Sequence, residues 1–141
     1  MNRSTIAAAA LCLLAADTPP ATLDLTIERP RNARGLLHVC LTGDPRHFPD
    51  CSSDARAVKH TVAASTRSIR LSNIAPGRYA VTVIHDENGN RRLDMTLGIP
   101  REGFGFSRNP RVRFGAPRYS QVDIELGAGL ARHSVRLQYV L

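Results

Sequence analysis

Apolar side chains recur at every second position through most of this chain, and from Asp17 onward no stretch repeats them at helical spacing. Leu23, Leu25 and Ile27 alternate with Asp24, Thr26 and Glu28, the pattern of a strand with one buried and one solvated face. After a break from Pro30 to Gly35, Leu37, Val39 and Leu41 repeat it; Val58, His60 and Val62 give a weaker run, and Ile69 with Leu71 a shorter one. Tyr79, Val81 and Val83 alternate with Ala80 and Thr82 behind a Pro76-Gly77 turn, which marks the clearest central strand. Val122, Ile124 and Leu126, then Val135, Leu137 and Tyr139, complete the series. About seven short strands separated by turn signals predict an all-β fold, an antiparallel β-sandwich of immunoglobulin-like or transthyretin-like type.

The first residues follow a different rule. Met1-Asn2-Arg3 makes a short positive start, Ile6 to Ala16 is an unbroken apolar run, and Asp17 ends it. That order of features predicts a secretory signal peptide over residues 1–16, and an exported protein, periplasmic or secreted. The run is shorter than the roughly 20 residues a spanning helix needs. Cleavage is expected after Ala16, with Ala15 as the neighbouring choice; Leu14 suits a peptidase poorly, and Leu11 before Cys12 is too large for lipoprotein processing. Residues 17–141 then form a single domain with one core.

Cysteine usage agrees with export. With Cys12 in the leader, Cys40 and Cys51 remain as a pair in an oxidising compartment, and a disulfide between them is expected. It would close a short segment with two prolines and no strand pattern, contributing roughly 3 kcal/mol by chain entropy. The chain is basic, with a formal net charge of +7, and Lys59 is its one lysine among many arginines. Outside the cytoplasm such a charge meets anionic envelope components, and no basic helix or aromatic stacking pattern suggests nucleic acid.

The remaining information lies in one long connection, from about residue 86 to 119, where alternation lapses while glycine, proline and aromatic residues accumulate. Asp86, Asn88, Asn90 and Asp94 fall at positions 1, 3, 5 and 9 of a calcium-loop pattern, with the Arg92 carbonyl as the seventh-position ligand. Arg91 replaces the turn glycine of that pattern, Leu97 replaces its bidentate glutamate, and two arginines repel a cation. The competing reading, which leads, has these side chains capping their own backbone in Asx-turns. No other cofactor is indicated. Arg101, Arg108, Arg111, Arg113 and Arg118 offer an anion-binding surface, or else a solvated rim over buried rings with Glu102 pairing one of them. Gly103-Phe104-Gly105-Phe106 reads as architecture: rings that plug the end of the sandwich and glycines that let another segment pass closely. His85 should point away from Asp86, and His38, His47, His60 and His133 show no ligand spacing.

Pro76-Gly77-Arg78-Tyr79, His85-Asp86-Glu87-Asn88-Gly89-Asn90, Leu93-Asp94, Leu97-Gly98-Ile99-Pro100, Glu102-Gly103-Phe104-Gly105-Phe106-Ser107 and Phe114-Gly115-Ala116-Pro117 together resemble the bacterial family known as domain of unknown function 2141. The resemblance implies an exported β-sandwich and no particular activity. Arg91 and Ala116 depart from it, standing where a second glycine and a proline are common.

The residues point to a non-enzymatic binding or interaction module that presents loop 85–119 to an anionic envelope component or another protein. A structural accessory domain, whose loop merely closes the sandwich, is the alternative. A hydrolase using Asp86, Asp94 and Glu102 ranks last, because no nucleophile elbow, zinc-binding pair or phosphate loop occurs and Ser107 and Ser120 lack an activating context.

Overall fold

The computed structural model describes residues 17–141; the expected leader, residues 1–16, lies outside them. Among the described residues there are ten strands: β1 (Ala21–Glu28), β2 (Leu36–Thr42), β3 (Val58–Ala63), β4 (Ser68–Ile74), β5 (Gly77–Asp86), β6 (Met95–Thr96), β7 (Ile99–Pro100), β8 (Gly103–Phe106), β9 (Ile124–Leu126) and β10 (Gly129–Arg136). One sheet has the order β10-β1-β4; the other runs β3-β2-β5-β8, with β9 on the opening residues of β5. The chain changes sheet at the Pro-Gly turn, so β4 and β5 are consecutive without pairing.

The two sheets face each other through the alternating apolar residues that the sequence marks. Leu23, Leu25, Ile27, Ile69, Leu71 and Val135 come from one side, and Leu37, Leu41, Val81, Val83, Ile124 and Leu126 from the other. Each such side chain contributes roughly 1.5–3 kcal/mol by leaving water. The sandwich expected from the sequence is therefore present, with ten strands in place of about seven because several are only two to four residues long. Most pairs are antiparallel, but β1 and β10 run parallel, Ala21 opposite Gly129 through Glu28 opposite Arg136. Val122 sits just before β9, and β10 begins at Gly129, ahead of the apolar run at Val135.

The long connection also differs from its expected form. It holds the β6–β7 hairpin and the buried strand β8, whose Gly103–Phe106 pairs with Thr82–His85 of β5. Ser107 continues that seam: its N–H donates to the Val81 carbonyl (3.0 Å), while its hydroxyl accepts from the Val81 N–H (3.0 Å) and donates to the Val122 carbonyl (2.5 Å). Phe104 and Phe106 do not plug an end of the sandwich. They lie on the outer face of the five-stranded sheet, in a second cluster with Ala80 and Val122 that Phe48, Val112 and Tyr119 partly cover. Phe48 meets the Phe106 ring edge-on at 5.5 Å between centroids, which seats the disulfide-bonded segment against the same face.

The glycines of β8 leave room for a segment that passes closely. Phe104 exchanges backbone hydrogen bonds with Gln138 beyond β10, at 3.1 and 2.8 Å, so the end of the chain crosses directly over β8. A Cβ on Gly105 would stand 2.6 Å from Val135 Cγ1 and 2.7 Å from the Arg136 carbonyl oxygen; one on Gly103 would collide with the Tyr139 ring.

Candidate functional site

Strand β5 organises the site because both of its faces are covered. Val81, Val83 and His85 point into the sandwich, and Ala80, Thr82, Ile84 and Asp86 point outward. Register across the sheet lines Lys59, Cys40, Thr82 and Phe106 into one outward row, and Thr61, His38, Ile84 and Phe104 into the next. These two rows floor a groove of about 920 Å³, near the top of the range of roughly 300–1,000 Å³ typical of ligand sites. Its walls are the β6–β7 hairpin, residues 112–116, and Pro49 to Ser52.

Cys40 lies on the floor and Cys51 in the wall, and the two are joined in the disulfide predicted from the sequence. The groove is mostly apolar, through Ile84, Met95, Ile99, Phe104, Phe106 and Val112 among others. Its charged rim is strongly one-sided: Lys59, Arg91, Arg92 and Arg113 line it, with Asp50 the single carboxylate among the lining residues.

The wall from residue 86 to 102 is held by two buried carboxylates. Asp86 is 0 % exposed and accepts from the Asn90 N–H (3.1 Å) and the Arg91 N–H (2.7 Å), and pairs with His38 Nε2 at 2.8 Å. Burial pushes its pKa up, but the His38 hydrogen bond and the Arg91 amide outweigh that, and the carboxyl ends below its ordinary value. Glu102, 4 % exposed, accepts from the Glu87 N–H at 3.0 Å and the Asp94 N–H at 3.2 Å. It caps the loop backbone and forms no ion pair with an arginine among the described residues, contrary to the pairing considered from the sequence.

Of the calcium-pattern residues, Asn88 Oδ1 accepts from the Asn90 N–H and Asn90 Oδ1 from the Arg92 N–H. The amide groups of both asparagines donate to the Asp94 carboxylate, at 2.6 to 3.0 Å. These bonds give the segment the form of successive Asx-turns. Arg91 takes the left-handed conformation in the place of the turn glycine, φ 63°, at a cost of about 1–2 kcal/mol. Among the described residues no group of three or more His, Cys, Asp or Glu side chains is placed to hold a metal. With the oxygens engaged in this way, melting curves in EDTA and in millimolar Ca²⁺ are expected to superimpose. A rise in Ca²⁺ that Asp94→Asn removes would show instead that the loop exchanges these bonds for a cation.

The five arginines singled out in the sequence are not brought to one place. Arg113 lines the groove; Arg101 lines a separate small cleft with Arg31 and Arg34; Arg108 reaches the Ser120 carbonyl and, at 3.5 Å, Asp123. Arg111 and Arg118 line neither cavity. Gly98 and Pro100 belong to the β6–β7 hairpin, as second turn residue and partner of Met95. His85 is a satisfied core residue, its ring nitrogens 2.8 Å from Tyr139 Oη and from the Arg34 carbonyl. His38, by contrast, joins the site through Asp86 and Thr61, a role the spacing of histidines does not reveal. Ile84 is the residue that carried the missed signal: following Val83, it breaks the polar half of the alternation and marks β5 as covered on both faces.

The molecule is thus a β-sandwich with a basic-rimmed apolar groove on the outer face of its larger sheet. A family model described as "Uncharacterized protein conserved in bacteria (DUF2141)" matches residues 25–133, and the chain belongs to that family. Searches of the curated proteins and of the solved structures gave no match. Among the described residues no helix is long and apolar enough to cross a membrane.

Proposed function

We propose that this protein is a non-enzymatic binding module of the bacterial envelope, and that its outer-sheet groove takes the apolar part of an anionic amphiphile. The observation that carries the reading is the pairing of an apolar floor with a rim of Lys59, Arg91, Arg92 and Arg113 against Asp50 alone. An apolar cavity with a few convergent polar groups is what small-molecule recognition requires, and guanidinium forks suit a carboxylate or phosphate head. Asp86 and Glu102 serve as acceptors for backbone amides, and the Ser107 hydroxyl donates to Val122, which favours binding over hydrolysis.

The test is titration of a dansyl-labelled fatty acid. Saturable fluorescence enhancement is expected, weakened about tenfold or more by Ile84→Glu, which puts a charge on the apolar floor. Arg113→Ala should weaken the free acid more than its methyl ester. A probe that does not saturate, or an affinity indifferent to Ile84→Glu in a folded variant, would leave the accessory-domain reading in its place.

A further inference from the structure

Two apolar side chains stand almost wholly in water at the lips of the groove. Leu97 and Phe114 are each 97 % exposed; Phe114 itself lines the cavity with Arg113, and Gly98 beside Leu97 does too. Leu97 is costly in a second way. It occupies the first position of the two-residue turn between β6 and β7, with φ 51° followed by Gly98 at φ 77°. That turn favours asparagine or glycine, and a branched apolar residue in the left-handed region is strained there. Strain and apolar exposure at one loop tip point to contact with something outside the molecule.

The charge around the tips indicates what that is. Arg91 and Arg92 lie in the turn segment leading into the β6–β7 hairpin, Arg111 and Arg113 at the start of the 112–116 loop, and among the described residues none is within ion-pair distance of a carboxylate. Unpaired arginines beside protruding apolar residues match the two layers of a membrane surface, phosphate head groups above and hydrocarbon below. We propose that the tips of the β6–β7 hairpin and of the 112–116 loop dock this protein on an anionic phospholipid bilayer, Leu97 and Phe114 entering the interface and the arginines resting on phosphates. Phe114 lies in the groove wall and Arg91, Arg92 and Arg113 belong to its rim, so the inference shares these residues with the proposed function, and Leu97, outside the lining, separates the two.

The test is co-sedimentation of the protein, with its natural N-terminus, on vesicles of phosphatidylglycerol and phosphatidylcholine or of phosphatidylcholine alone. Capture is expected on the anionic vesicles only, and it should fall with salt. The double variant Leu97→Asn/Phe114→Ser should bind these vesicles about tenfold more weakly or worse without a lower melting temperature. Leu97→Asn alone, outside the groove lining, should weaken vesicle capture while leaving binding of the dansyl probe unchanged. Ile84→Glu should show the reverse, losing the probe and keeping the vesicles, so failure of the docking surface and failure of the groove are told apart. Equal capture of wild type and double variant would overturn the proposal, as would no capture at all. So would concentration-dependent dimerisation of the wild type that the double variant abolishes without vesicle binding, which would assign the tips to a second copy of the chain.

Discussion

Asp86→Ala is expected to lower the free energy of unfolding by about 3 kcal/mol or more, because it strands three donors at once. The carboxylate lies at the end of β5 with no exposure, and the amides of Asn90 and Arg91 and the ring of His38 all converge on it. Each donor left unsatisfied costs about 1–3 kcal/mol, less whatever water can restore. In a domain of this size that corresponds to a melting temperature about 10 °C lower. Asp86→Asn should cost less, since it keeps one acceptor. The pH dependence carries its own sign. The folded-state pKa of Asp86 is depressed below its ordinary 3.8, so the unfolded chain takes up the proton first as pH falls. The stabilisation is complete above the unfolded value and is lost as pH drops through the lower folded one. The stability gap between wild type and Asp86→Asn should therefore be widest near neutrality and narrow below about pH 4. A gap that does not change with pH would mean that the carboxylate's charge is not what holds the loop.

Gly105→Ala should be the second most damaging of these changes, at about 1–3 kcal/mol. The added methyl has nowhere to go: Val135 Cγ1 and the Arg136 carbonyl oxygen already occupy its position, and one of them is backbone. Relief requires the end of β10 to lift from β8, which breaks the exchange of hydrogen bonds between Phe104 and Gln138. Gly127→Ala is the control, because nothing lies within 4 Å of its Cβ position and its φ is not in the left-handed region. It should be neutral or stabilising by a few tenths of a kcal/mol through the unfolded chain. Thermal melts of the two variants side by side measure the difference; equal melting temperatures would mean that β10 does not press on β8 in solution.

The sandwich was legible in the sequence because its core obeys a local rule. Leu23, Leu25 and Ile27, or Leu37, Val39 and Leu41, announce a buried face within five residues, and the structure buries them all. Pairing partners were not legible, since a two-residue period says which face is inward and nothing about which strand lies alongside; the parallel match of β1 with β10 joins opposite ends of the chain. Strand β8 was hidden for a related reason. Its Gly-Phe alternation puts glycines where a core strand has branched residues, because β10 supplies the packing there. Within the site, Asp86 and its asparagines could be read as a local turn system. Glu102 and His38 could not, because their partners lie 8 to 48 residues away. The loop arginines from Arg101 to Arg118 were visible as a charge run, but only the folded sheet separates Arg113 at the groove from Arg101 and Arg108 elsewhere and brings Arg91 and Arg92 to the rim.

Strand β5 is read on both faces, and that divides the mutational freedom of the protein. Odd-numbered positions Val81, Val83 and His85 answer to the sandwich, where a lost methyl is felt at once. Thr82 and Ile84 line the groove, and under the proposed function they answer to its ligand. If the groove is the binding site proposed above, recognition is open to drift, or to redesign, by exchanging alternate letters of one strand while the letters between them keep the fold.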